Sequence, residues 1–320
     1  MNKNFIVEEE NRLDKFLSIQ LQETRNQIEH LIKKEYVKID GIVITKTGHK
    51  LKINQNIEVT LPEVTTKEAL AINFDVEIIY EDEEILVINK PSNLVVHDAP
   101  SVNEPTLVDW LKKKNISLST ISGEQRHGIV HRLDKGTSGV MVVAKSNEAH
   151  LFLSEQLQDK TMGRYYLALI DLPLKENTIV EKPIARNPTN RLKMGIVNNG
   201  KSAKSAFVKL ALSQDEKTEL ISAKLFTGRT HQIRVHLSSM NRHILGDILY
   251  GFKGDSTKIN RVYLHAYCLY LVHPKTKKIM NFIANIPEDM NTYFNKNFNM
   301  EEICEKINKT YIINSFGSFC

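Results

Sequence analysis

His131-Arg132-Leu133-Asp134-Lys135-Gly136-Thr137-Ser138-Gly139 lies between two short apolar runs, Gly128-Ile129-Val130 and Gly139-Val140-Met141-Val142-Val143-Ala144. Both runs are rich in β-branched residues and read as strands. A polar, glycine-bounded loop between strands is held by a rigid scaffold while its side chains stay available for chemistry, and Asp134 is the candidate reactive group. A plainer reading also fits the loop by itself: a turn in which Asp134, Thr137 and Ser138 only satisfy their own backbone. The choice between the two rests on what the rest of the chain supplies.

Two further runs bear on it. Leu225-Phe226-Thr227-Gly228-Arg229-Thr230-His231-Gln232-Ile233-Arg234-Val235-His236 brings two arginines and two histidines into twelve residues. As local structure it reads as a basic helix start, with Thr230 capping and Gln232, Arg234 and His236 forming a solvated face. As chemistry it supplies a guanidinium, which keeps a neighbouring carboxylate ionised and fixes its orientation. Arg164-Tyr165-Tyr166-Leu167-Ala168-Leu169 alternates as a core strand does.

Taken together these segments resemble the active-site signatures of the RluA/RluD family of pseudouridine synthases. The resemblance implies that Asp134 is the catalytic aspartate, that Arg229 pairs with it, and that Tyr166 is the active-site tyrosine; Arg164 stands where lysine is usual. It implies that Arg132 fills the space left by a flipped nucleotide, and it places His131, Thr137, Thr230, His231, Gln232, Arg234 and Leu264 among the RNA-binding residues. Ile88-Asn89-Lys90-Pro91-Ser92-Asn93-Leu94-Val95-Val96-His97 matches a further family segment. Asn93 replaces its usual glycine, and asparagine tolerates the positive φ such a turn needs. Asp247, Tyr250 and Gly251, then Leu264-His265-Ala266, match later segments, so the likeness spans roughly residues 12–288.

Residues 11–62 read as a separate small α/β module. Leu13, Phe16, Leu17 and Leu21 recur at helical spacing. Thr24 and Gln27 resemble a capping box that opens a second helix, with Ile28, Leu31 and Ile32 inward and Lys33 and Lys34 at its end. Tyr36 to Ile44 reads as strand with an Asp40-Gly41 turn. The order resembles the ribosomal-protein-S-four-like RNA-binding module, in which Arg25, Lys33, Lys34, Lys46, Lys50 and Lys52 would meet phosphates. Nine Lys and Arg stand against six Asp and Glu between residues 11 and 60, a net of +3. Glu35 departs from the glycine usual in that family.

Residues 62–75 carry linker signals, 75–290 form the main domain, and the Asn-rich segment 291–320 reads equally as helix or as disorder. Helical spacing at 106–113 and 147–157 alternates irregularly with strand patterns at 78–88, 165–184 and 203–212, with no regular βαβ repeat. That indicates an α+β fold with a mixed, mainly antiparallel sheet. The basic loop carrying Arg186, Arg191, Lys193, Lys201 and Lys204 could track a phosphate backbone or simply be solvated.

The chain has 320 residues and a net charge of +5, which favours a polyanionic partner. Its three cysteines, Cys268, Cys304 and Cys320, form no Cys-x-x-Cys pair, and the eleven histidines form no metal-ligand pattern. No apolar run reaches membrane-spanning length and the first ten residues are polar and acidic, so a cytoplasmic protein with no membrane partner is expected. Neither a P-loop nor a dinucleotide fingerprint is present, and pseudouridine formation needs no cofactor because the leaving uracil is retained and reattached; no metal and no cofactor are expected. The expected activity is isomerisation of uridine in structured RNA, with large-subunit ribosomal RNA favoured by the N-terminal module and transfer RNA as the alternative, by a monomer. A non-catalytic RNA-binding assembly factor would need the basic surface but not Asp134, Tyr166 and Arg229 together. A glycosidic hydrolase would want a second carboxylate, which no motif supplies.

Overall fold

The computed structural model describes residues 2–21, 25–60, 71–98, 102–121, 123, 126–254 and 259–319. The chain divides into two units, residues 1–70 and 71–320.

In the first unit β1 (Asn2–Ile6) is followed by α1 (Leu13–Leu21), α2 (Arg25–Lys33), β2 (Val37–Ile39), β3 (Ile42–Val43) and β4 (Asn56–Thr60). The sheet order is β1-β4-β2-β3. Period-2 alternation turns Val37, Ile39, Ile57 and Val59 onto Leu13 and Leu17 of α1 and Ile28 and Ile32 of α2, closing a small core. Asp40 and Gly41 both take positive φ, 50° and 79°, as a two-residue hairpin between β2 and β3 requires. Thr24 lies outside the described residues. Glu35 ends α2 in the left-handed region at φ 65°. Its N–H donates to Ile32 O and that of Tyr36 to Leu31 O, the paired bonds of a Schellman cap, a place that favours glycine. The glutamate therefore holds a strained position with its hydrogen bonds intact.

The second unit is built on one nine-stranded sheet. Its elements are β5 (Glu77–Glu81), β6 (Ile85–Lys90), α3 (Leu107–Lys113), β7 (Ser138–Ala144), α4 (Asn147–Gln158), β8 (Gly163–Ile170), β9 (Thr178–Glu181), β10 (Ile184–Arg186), β11 (Met194–Ile196), β12 (Lys204–Leu212), β13 (Glu219–Leu225), α5 (Gln232–Ser238), β14 (Leu264–Val272), β15 (Ile279–Ile283), α6 (Glu288–Asn297), α7 (Met300–Lys306) and α8 (Lys309–Asn314). The strands run in the order β5-β6-β7-β14-β8-β13-β12-β9, with β15 on the second half of β14. Among the described strands only β7 and β14 pair in parallel, so the sheet is mixed and mainly antiparallel. β7 and β8 are buried along their whole length, which explains their continuous apolar runs. β10 and β11 form a separate hairpin that carries the basic 184–204 segment.

Gly128-Ile129-Val130, expected as a strand, makes only one isolated bridge, Ile129 to Val143. Gly128 sits at φ 70° as the third residue of a turn that Ile129 N–H closes on Arg126 O. The aspartate loop therefore leads into β7 without following a strand. The parallel pair brings the two chains unusually close where β7 begins: Gly139 has φ 120°, and a Cβ there would lie 2.2 Å from Ala266 O. No other residue fits.

Segment 291–320 is not an open tail. Phe294, Phe298, Ile303, Ile312 and Phe316 are all buried in the main core, and the Phe316 ring packs 5.5 Å from that of Tyr165. Phe316→Ala is expected to destabilise this unit by about 3–5 kcal/mol. Denaturant unfolding followed by fluorescence of Trp110, the chain's single tryptophan, checks it. A loss below about 1 kcal/mol would mean that the terminal helices are not part of the cooperative core.

Candidate active site

The loop before β7 is held from below. Lys90, fully buried at the end of β6, donates through Nζ to Pro91 O (2.7 Å), Leu94 O (2.9 Å) and Lys135 O (3.3 Å). Ser92 Oγ donates to Gly136 O at 3.0 Å. Burial pushes Lys90 down to about 7, with the charge of Asp134 opposing the shift. Asn93 takes φ 64° in this turn, as its substitution for glycine requires. Leu133 is buried, and Thr137 N–H donates to Asp134 O, so the loop is a closed turn on an apolar anchor. The His131 ring points inward: Nε2 accepts from Val142 N–H, and burial lowers its pKa to about 3. It fixes the loop to β7 and is not placed as an RNA contact. Arg132 is exposed, and its guanidinium donates to Nε2 of buried His97 at 3.1 Å. Burial and the Arg132 charge lower the His97 pKa to about 4, so the ring is neutral and can accept that bond.

Asp134 faces a narrow cleft with 18% of its side chain exposed. Its ion pair is with Arg234, not Arg229: Arg234 Nη1 donates to Asp134 Oδ2 at 3.3 Å. The same guanidinium grips Asp247 with two bonds, Nε to Oδ2 at 2.7 Å and Nη2 to Oδ1 at 2.8 Å, and lies 4.7 Å from the centre of the Tyr250 ring. Arg234 is charged throughout, its pKa raised by Asp247 and Asp134 against the cost of burial. His231 Nε2 stands 3.9 Å from Asp134 Oδ1. Tyr250 OH accepts from Met194 N–H and lies 2.8 Å from His231 Nδ1. Burial disfavours protonation of His231. In the neutral ring the phenol then donates to Nδ1, which leaves the Nε2 proton directed at the aspartate.

The physical reason for the exchange of arginines is where α5 begins. His231 is the N-cap, in the left-handed region at φ 57°, and no side chain caps the helix. His231 and Arg234 are three apart, so both face Asp134. Arg229 lies before the helix. It donates from Nε to Ser202 O (2.9 Å) and from its backbone to Gln232 Oε1 (2.9 Å), lining the cleft without reaching the carboxylate. Thr230 is exposed and does not cap. The plainer reading of a solvated face does not hold: Gln232 is 2% exposed, Arg234 8% and His236 0%. Gln232 ties the turn to β12 through Lys204 O and Ser205 Oγ, a scaffold role. Tyr166 on β8, Leu225 and Leu264 at the start of β14 form the apolar side of the cleft. Burial raises the Tyr166 pKa, so its hydroxyl stays protonated.

Asp247 and Tyr250 carry this geometry although they were read only as a matching run. The three-residue spacing of the short turn at Ile248–Tyr250, which Asp247 caps through Tyr250 N–H, aims both at Arg234. In the first unit Arg25, Lys33, Lys34, Lys46, Lys50 and Lys52 are all exposed, and Lys33 pairs with Glu29 along α2. Among the described residues no three ligating side chains are placed to hold a metal ion, and no helix is long and apolar enough to cross a membrane.

Comparison with known proteins gives the class, that of the RNA-modifying isomerases. The chain belongs to the RNA pseudouridine synthase family. A family model described as RNA pseudouridylate synthase matches residues 84–239, and one described as S4 domain matches residues 11–57. An uncharacterized RNA pseudouridine synthase of Helicobacter pylori is 47% identical over 99% of both chains. A ribosomal large subunit pseudouridine synthase D of Zymomonas mobilis is 36% identical over 88% of this chain and 92% of its own. The solved structure of human RNA pseudouridylate synthase domain containing 4 covers 69% of this chain and 92% of its own, with a TM-score of 0.53 at 25% identity.

Arg234→Ala is expected to lower the single-turnover rate at saturating RNA by at least about a hundredfold, as for loss of one preorganised charge contact in an active site. Arg229→Ala at saturating RNA should stay within a few-fold of wild type. The reverse ranking would return the carboxylate's partner to Arg229.

Proposed function

We propose that this enzyme converts uridine to pseudouridine in large-subunit ribosomal RNA with Asp134 as its catalytic residue. The observation that carries the reading is the placement of Asp134: partly open to the cleft, with one oxygen held by Arg234 and the other facing His231. The reaction breaks the bond between ribose carbon 1′ and base N1, rotates the uracil, joins carbon 1′ to carbon 5, and releases the carbon-5 proton while N1 gains one. Atoms balance without any cofactor. Asp134 acts at the ribose or base, Tyr166 packs on the flipped uracil, and Arg132 enters the space that the nucleotide leaves. Arg229, Thr230 and Leu264 line the route in, and Thr137 and Gln232 hold the loops in place. The polar cleft and exposed lysines of the first unit suit a structured polyanion. Large-subunit ribosomal RNA is favoured over transfer RNA because two of the relatives, at 36% and 35% identity, carry that substrate in their names.

Pseudouridine mapping of total RNA from cells with and without the gene tests this reading. We expect loss of one or more pseudouridines from large-subunit ribosomal RNA on deletion, restored by the wild-type gene and not by Asp134→Asn. The purified Asp134→Asn protein should bind RNA within a few-fold of wild type, since the change is nearly isosteric. Residual turnover above a tenth of wild type would remove Asp134 from the reaction. Loss confined to transfer RNA would move the substrate.

A further inference from the structure

Arg164 is a buried cation beside the cleft that the reaction scheme leaves unused. It lies on β8 two residues before Tyr166, so the two side chains project from the same face of the strand. Only 9% of Arg164 is exposed, and its Nε is buried without a hydrogen-bond partner. Among the described residues no carboxylate comes within ion-pair distance of it. Arg234, at similar burial, shows what the fold ordinarily provides: two carboxylates and two short bonds. The groups that feel the Arg164 charge, His131 and Tyr166, are both neutral and offset nothing.

The tip of the side chain reaches the turn before α5. A Cβ on Gly228 would lie 2.8 Å from Arg164 Nη1, and Gly228 is itself exposed. The guanidinium thus ends just beneath a bare stretch of backbone at the cleft's edge, next to Arg229, which lines the cleft. A buried charge without a counter-ion destabilises a free protein, and such a group persists where an anionic ligand completes it.

We propose that Arg164 is a phosphate ligand: its guanidinium, under the turn at 227–229, takes one backbone phosphodiester of the RNA beside the extruded uridine. The planar fork fits two phosphate oxygens, and the side chain is already ordered by burial, so little rotamer freedom is lost on binding. The absence of a side chain at Gly228 makes room for the guanidinium itself, whose Nη1 would lie 2.8 Å from a Cβ there. This rests on the reading that RNA is the substrate, and it adds a residue that anchors the strand without touching the reacting atoms.

The test uses the full-length protein with an in vitro transcript of large-subunit ribosomal RNA, comparing wild type, Arg164→Met and Arg164→Lys. Arg164→Met should raise Tm of the free protein, because an apolar chain of similar length replaces an unpaired charge. It should weaken RNA binding by about tenfold or more. It should reduce the slope of log affinity against log salt by ~0.7–0.9, the share of one phosphate. Its single-turnover rate at saturating RNA should remain within a few-fold, and Arg164→Lys should recover part of the affinity. An unchanged affinity and salt slope would overturn the proposal. So would a lowered Tm in Arg164→Met, which would show a structural role, or a loss of rate at saturation with affinity kept, which would show action on the base. Wild-type protein that binds this transcript without forming pseudouridine would overturn the substrate reading alone, since the affinities and salt slopes still decide Arg164.

Discussion

One guanidinium shared between two carboxylates organises the site. Arg234 is bound twice by Asp247, which is 1% exposed, and once by Asp134, which opens onto the cleft. Removing a charged pair from water costs several kcal/mol per ion, and it is recovered only when the geometry is good and the remaining donors are satisfied. Asp247 supplies the good geometry. The bond to Asp134, longer at 3.3 Å, is the weaker arm. A carboxylate held in that way keeps its direction yet retains an oxygen for substrate. Tyr250 completes the frame by lying over the guanidinium and holding His231 through its hydroxyl.

The loop that carries Asp134 is fixed by quite different means. Lys90 gathers three backbone carbonyls, one of them in the loop itself, and inward-turned His131 ties the loop's first residue to the middle of β7. Where β7 meets β14 in parallel, the contact at Gly139 leaves no room for a side chain. The aspartate and its arginine thus come from segments a hundred residues apart and meet because two strand ends and one helix start are rigidly placed. Preorganisation of this kind fixes the direction of a carboxylate before any substrate arrives.

Much of this was legible in the residues. The buried strands announced themselves as apolar runs, the helix at Leu107–Lys113 by its helical spacing, and the aspartate loop by its polarity between glycines. What could not be read was register. Arg229 and Arg234 are five apart, and choosing between them depends on where α5 starts; its N-cap, His231, is in the left-handed region with no capping side chain, so no sequence signal marks it. The terminal helices were hidden because they are short, 10, 7 and 6 residues, and their buried phenylalanines lie on three separate elements and turns, with no single period. Gly128-Ile129-Val130 has strand composition, but its glycine, at positive φ, belongs to the turn from Arg126 to Ile129.

A double-mutant cycle on Arg234 and Asp247 tests the clamp most directly, with single-turnover rates at saturating RNA as the readout. If Asp247 acts only by holding Arg234 against Asp134, each alanine variant loses most of the rate. The double variant then loses little more than Arg234→Ala alone, leaving a coupling energy of about 2 kcal/mol or more. Additive losses would contradict the account, because they would mean that Asp247 and Arg234 serve the reaction independently.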